Sequence, residues 1–186
     1  MRIFLAILVL IFSLQPWTKA DDIREFEIEG MSVGDSLLDY YSQSDIKNNL
    51  ATGYKDNEFS MAYFKLSSTE EQWLQIHFKT DDKKFTIYGV DKLFYPKTVD
   101  DCLKERNKIV ESVLDIFTNL EKQDRNNWDM ASGHGKIHGI LFKFNTGDFV
   151  EITCYEYNKD YDEIDHGRVA VVTKELVEWL LNKAHN

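Results

Sequence analysis

The chain has 186 residues, 43% of them hydrophobic and 13% aromatic, with 32 acidic side chains against 22 basic ones and a formal charge of −10. Such length and bulk suit one folded domain of ordinary size and exclude a disordered chain. The acidic balance, with no Lys/Arg cluster interleaved with aromatics, repels phosphate backbones and anionic lipid surfaces, so nucleic acid is excluded as a partner. Solubility is its commonest meaning, and a basic partner or a cation is the alternative.

Met1 and Arg2 give a positive start, and Ile3 to Leu14 form an apolar run interrupted only by Ser13. Gln15 and Pro16 break any helix, and Thr18-Lys19-Ala20 places small residues three and one positions before Asp21, as a signal peptidase requires. The expectation is a signal peptide over residues 1–20, cleaved after Ala20, leaving an exported chain in the periplasm or outside the cell. A retained anchor is the rival reading, but a dozen apolar residues fall short of the ~20 that a span needs. The mature chain, 21–186, is then a single domain with no membrane span, no interdomain linker and a charge of −12, since Arg2 and Lys19 leave with the leader.

Past the leader, Leu37, Leu38, Tyr40 and Tyr41 recur at helical spacing, with Ser32 or Asp35 as the cap, and a second short helix runs from Ser44 to Leu50. Phe59 to Leu66, Trp73 to Lys79 and Phe85 to Val90 read as three strands of an antiparallel meander; the middle one alternates strictly. Thr98 and Asp101 form a capping box for the longest helix, whose face is Leu103, Ile109, Val110, Val113, Leu114 and Phe117 and whose end is near Asn119. The polar stretch from Glu121 to Gly135 reads as a loop. Ile137 to Asn145 and Phe149 to Tyr157 are strands hinged on Thr146-Gly147-Asp148. Arg168 to Val172 is a further strand, and Thr173 caps a closing helix with Leu176, Val177, Leu180 and Leu181 inward. The order predicts an α+β fold, an antiparallel sheet packed by helices. Helix-helix-three-strand order recurring in 21–96 and 97–186 reads as a unit used twice, on element order alone.

Three segments carry a resemblance. Glu29 to Leu38, the helix start Cys102-Leu103-Lys104 and the strand Val150 to Tyr155 are similar to a group of uncharacterised exported bacterial proteins, which implies a shared fold and no activity. More loosely, Gly30-Met31-Ser32 followed by two short helices and a meander resembles the BamE-like fold of outer-membrane assembly lipoproteins, and its tandem version in secreted β-lactamase inhibitors. That likeness spans residues 30 to about 92. It departs in having no lipid-bearing cysteine and in Tyr41-Ser42 where that family ends its helix with Leu-Gly and proline.

Cys102 and Cys154 are the only cysteines, and an exporting compartment permits a disulfide between them; two separate buried thiols are the alternative. His134 and His138 share a face if the chain between them is extended, with Asp129 available nearby, but no zinc signature surrounds them and no metal or cofactor is expected. Asp160, Asp162, Glu163 and Asp165 crowd one turn without the spacing of a calcium loop. Asp165-His166 sets an acid beside an imidazole, with no Gly-x-Ser-x-Gly elbow to supply a nucleophile. Trp73 and His77 point to the outward face of their strand unless a helix covers it.

Two functions follow from these residues. The first is a non-catalytic binding or assembly module of the bacterial cell envelope, holding a protein partner through Trp73, His77, Asp160, Asp162, Asp165 and His166. The second is a small hydrolase or metal-dependent enzyme built on His134, His138 or the Asp165-His166 pair.

Overall fold

The structure is a computed structural model that describes residues 22–51, 53–66 and 72–185. The export leader read at 1–20 lies outside them. Strands β1 (Leu50–Ala51), β2 (Phe59–Lys65), β3 (Gln72–Lys79) and β4 (Ile87–Phe94) form one antiparallel meander, and β5 (Glu121–Asp129), β6 (Gly135–Lys143), β7 (Phe149–Tyr157) and β8 (His166–Val172) form another. The last strands of the two meanders pair with each other, so one eight-stranded antiparallel sheet results, ordered β1-β2-β3-β4-β8-β7-β6-β5. With helices α1 (Gln43–Asn48), α2 (Val99–Ile116) and α3 (Lys174–Asn182), the class is α+β, as the element order implies. Among the described residues no helix is long and apolar enough to cross a membrane.

Alternation sorts the side chains onto two faces. On the first, Phe64, Leu74, Ile76, Phe78, Val90, Phe142, Ile152 and Val171 meet the N-terminal segment, α1 and α2 in the main core. Thr98 Oγ1 accepts from the Asp101 backbone N–H and donates to the Asp101 carboxylate, so Thr98 caps the helix and Asp101 is its side-chain partner. The helix it starts buries Cys102, Arg106, Val110 and Val113, a face rotated from the predicted one, and leaves Leu114 43% exposed. The rotation follows from the disulfide Cys102–Cys154, with Cα atoms 6.0 Å apart, which ties the first turn of α2 to β7. On the second face the cover is partial. Among the described residues α3 is the one helix packed there, setting Leu176 and Trp179, with Tyr54 beside them, against Phe59, Ala170 and Val172 at one end of the sheet. Trp179 Nε1 donates to Asp56 at 2.8 Å, which turns Trp179 inward and leaves Leu181, predicted inward, 79% exposed.

Several predicted boundaries shift for local reasons. The helix expected over residues 37–41 is a single 3₁₀ turn, Leu37–Asp39, capped by Ser36; Asp35 instead accepts from the Ser32 N–H and the Tyr40 hydroxyl. The second helix stops at Asn48, and Leu50 pairs with Ala62 as an edge strand. The predicted loop at 121–135 contains β5, nine residues of which only Arg125 is not exposed. Solvent on both sides erases the period-two signal there, and a bulge at Arg125/Trp128 with Asn127 at φ +63° interrupts its pairing with β6. Charges and the bulge together blunt that edge against further pairing.

Gly135 starts β6 opposite Tyr157, where an added Cβ would lie 2.1 Å from the Glu156 carbonyl oxygen. Backbone cannot swing aside as a side-chain tip can. Gly135→Ala is therefore expected to destabilise the protein by about 1–3 kcal/mol, read as a lower denaturant midpoint at unchanged slope.

Candidate functional site

Register sets out the polar side chains of the second face in rows across the sheet. Gln75 stands beside Asp91, Asp91 beside Ala170 and Ala170 beside Glu151. The neighbouring row runs Trp73, Leu93, Arg168, Thr153, Gly139, Arg125. Tyr155 and His166 face each other in the next. Because α3 covers only one end, these rows border an open cleft of about 400 Å³ lined by Gln75, Asp91, Tyr155, Tyr157, His166 and Arg168, with Tyr54 and His77 under α3.

Asp91 is the centre of the arrangement, with its side chain 2% exposed. Its Oδ2 accepts from Arg168 Nη2 at 3.1 Å and lies 3.4 Å from His77 Nε2. An ionised carboxylate only accepts, so Nε2–H of His77 donates to it, and Nδ1 is left to accept from the Tyr54 hydroxyl at 3.0 Å. Arg168 also reaches the Tyr155 hydroxyl at 3.5 Å and Glu151 at 3.7 Å, and Glu151 is held in turn by Arg125 at 3.2 Å. Two acids and two arginines thus balance across four strands.

Burial pushes the Asp91 carboxyl up, but the Arg168 charge and the His77 hydrogen bond more than offset it and hold the group below its ordinary range. Burial also opposes the Arg168 charge, yet Asp91, Tyr155 and Glu151 bring that guanidinium above its ordinary value. The Tyr54 hydroxyl is raised well above the usual phenol range, first by burial and then by the Asp91 charge, so it stays protonated. Tyr54 consequently acts as a hydrogen-bond donor and not as a nucleophile.

His166 packs face to face with Tyr155, ring centroids 4.7 Å apart, with Tyr157 and Tyr95 at 5.9 and 5.8 Å. Its Nδ1 lies 2.9 Å from the Ile164 carbonyl oxygen and so carries the proton, which leaves Nε2 as an acceptor in the neutral ring. Burial lowers the pKa of this imidazole from 6.5, and the nearby Arg168 acts in the same direction.

Among the described residues, Asp91 Oδ1 and Thr153 Oγ1 are buried atoms with no hydrogen-bond partner. Most buried polar atoms in native proteins are satisfied, so each such atom asks for an explanation.

Of the residues singled out from sequence, His77 and His166 both belong to this cleft, and Trp73 sits one row away, half-buried, with Lys65 Nζ 5.8 Å from its ring centre. His77 itself is buried, with Tyr54 against it. Asp165 closes the turn before β8 by accepting from the Tyr157 N–H at 2.8 Å, while Asp160 and Asp162 remain exposed in that turn. His134 and His138 do not converge: His134 stacks on Tyr161 and pairs with Glu163, whereas His138 pairs with Glu156 at 2.9 Å. Among the described residues no group of three or more His, Cys, Asp or Glu side chains could hold a metal ion.

Sequence reasoning missed Asp91, Arg168, Tyr54 and Glu151, while Tyr155 and Tyr157 were among the large aromatics it offered for a binding surface. One signal was present, a charge set directly against an apolar run in each of two strands, Gly89-Val90-Asp91 and Arg168-Val169-Ala170. Compared with family models, curated proteins and solved structures, the chain matches none.

Proposed function

We propose that this chain is an exported, non-catalytic binding or assembly module of the bacterial cell envelope, which holds a protein partner against the uncovered face of its sheet. The observation that carries the reading is the partly covered second face, where tyrosines, the paired Arg168 and a buried carboxylate with a bare oxygen surround one cleft. Tyr, Trp and Arg are the side chains that dominate binding hot spots, and here the strands hold them rigidly before any partner arrives. The disulfide supports an oxidising compartment, in keeping with export. A hydrolytic reading on His134, His138 or Asp165-His166 has less behind it: His134 and His138 face separate carboxylates, and the Asp165 carboxylate is engaged by the Tyr157 N–H. We also read the two meanders, joined at β4 and β8, as one unit used twice, in the manner of the tandem BamE-like fold.

Substitution tests the surface directly. The Trp73→Ala/Tyr155→Ala double variant should lose at least about 2 kcal/mol of partner affinity, measured on protein recovered from the envelope, while Leu114→Ala on the far side of α2 should lose none. Full partner retention by the double variant would remove this face from the account.

A further inference from the structure

We propose that the cleft above the Asp91–Arg168 pair binds a neutral saccharide of one or two rings. The inference rests on the reading of this face as a binding surface and specifies a ligand class for its centre.

Hydrogen-bonding capacity gives the first argument. Asp91 Oδ1 is an acceptor without a donor, in a side chain 2% exposed that lines the cleft. His166 adds a second acceptor at Nε2, because Nδ1 is engaged by the Ile164 carbonyl. The hydroxyls of Tyr155 and Tyr157 both donate and accept, and Gln75 stands beside Asp91 across the strands. A ligand that suits this lining brings several donors, each on a group that can also accept. Hydroxyl groups have that property.

Charge gives the second. Asp91 and Glu151 are matched by Arg168 and Arg125, so the cleft presents no net charge to a ligand. An ammonium placed on Asp91 Oδ1 would stand beside the Arg168 guanidinium, and an anion drawn to Arg168 would stand beside Asp91 and Glu151. Either one meets a like charge in a setting of reduced screening. A neutral ligand meets neither.

Shape gives the third. Leu93 and Leu180 line the same cleft and offer apolar contact to ring C–H groups, while the stacked Tyr155 and His166 rings form a fixed wall. A volume of about 400 Å³ lies in the range of small-ligand sites. A molecule with many hydroxyls and an apolar ring face, without charge, is a saccharide.

The test is titration of the full oxidised chain with cellobiose, maltose, lactose and N,N′-diacetylchitobiose, and separately with spermidine, following backbone amide signals by NMR. At least one disaccharide is expected to shift the signals of Asp91, Tyr155 and Arg168 saturably. Tyr157→Phe and Gln75→Ala, which leave the buried pair intact, should weaken that binding roughly tenfold or more. Silence from every disaccharide overturns the proposal, as does a response of these signals to spermidine alone or a crystal structure with only a fixed water on Asp91 Oδ1. If the sugars are silent while Trp73→Ala/Tyr155→Ala still releases the protein partner, the saccharide inference fails and the binding-surface reading stands.

Discussion

Replacing Asp91 by asparagine is expected to cost about 3–5 kcal/mol of folding stability, a large share of the roughly 5–15 kcal/mol that holds an ordinary domain together. The reason lies in what the substitution leaves behind. Arg168 keeps its charge between β4 and β7 with only Glu151 at 3.7 Å to answer it, and the carboxamide offers Arg168 and His77 one uncharged oxygen in place of the carboxylate. Because the Arg168 side chain is 27% exposed, water reaches part of it, which places the expected loss toward the lower end of that range. The same pair sets a pH dependence. In the folded protein the Asp91 carboxyl titrates below its ordinary value of 3.8, so the unfolded chain binds a proton first as acid is added. The stabilisation is therefore complete above pH 3.8 and declines as the pH falls from there through the folded value. Urea unfolding of the wild type and the Asp91→Asn variant at pH 7 and below pH 3.8 checks both statements: the gap between the two proteins should narrow at the lower pH. An equal gap at both pH values would mean that the carboxylate charge contributes nothing.

The second large effect belongs to the disulfide. Cys102 and Cys154 are 52 residues apart, and closing a loop of that length stabilises by about 4 kcal/mol in the chain-entropy model. The Cys102→Ala/Cys154→Ala double variant should lose about that amount, plus a small penalty for the space left by two buried sulfur atoms. Wild-type protein unfolded in reductant should show nearly the same loss, because the crosslink and not the side-chain volume carries most of the effect. The bridge also matters for position. It fixes the first turn of α2 on β7, the strand that presents Tyr155 and Tyr157 to the cleft from its other face. Chemical denaturation of the double variant, the single-sulfur variants and the reduced wild type separates crosslink from packing. A double variant within about 1 kcal/mol of the wild type would contradict the chain-entropy account.

Much of the fold was legible because local signals and tertiary structure agree. The strand read at Phe149 to Tyr157 has the bounds of β7, since Val150, Ile152 and Cys154 are buried on one of its faces and Gly147, at φ +92°, marks the turn before it. Thr98 with Asp101 found α2, and Thr173 found α3. Failures occur where burial does not alternate. β5 is exposed on both sides and gave no period. β4 was read as ending at Val90, yet it continues to Phe94 through Asp91 and Lys92, because Asp91 is a charge buried on a sheet face where sequence patterns expect either an apolar residue or solvent. The site was illegible for a related reason. Asp91 and Arg168 are 77 residues apart and meet only because the final strands of the two meanders pair. His77 and His166 were noticed for their chemistry, and it took the β4–β8 ladder to show that they line one cleft. His134 and His138, closer in sequence, face separate carboxylates.

The central claim is that the uncovered sheet face is where this protein meets its partner. Site-specific photocrosslinking in the exporting cell tests it most directly, with a photoreactive residue placed at Tyr155 in one strain and at Leu114, on the exposed side of α2, in another. The account predicts a discrete crosslinked protein from position 155, lost when Trp73→Ala is added, and none from position 114. Crosslinks from position 114 with none from 155 would place the contact on the opposite layer and contradict the account.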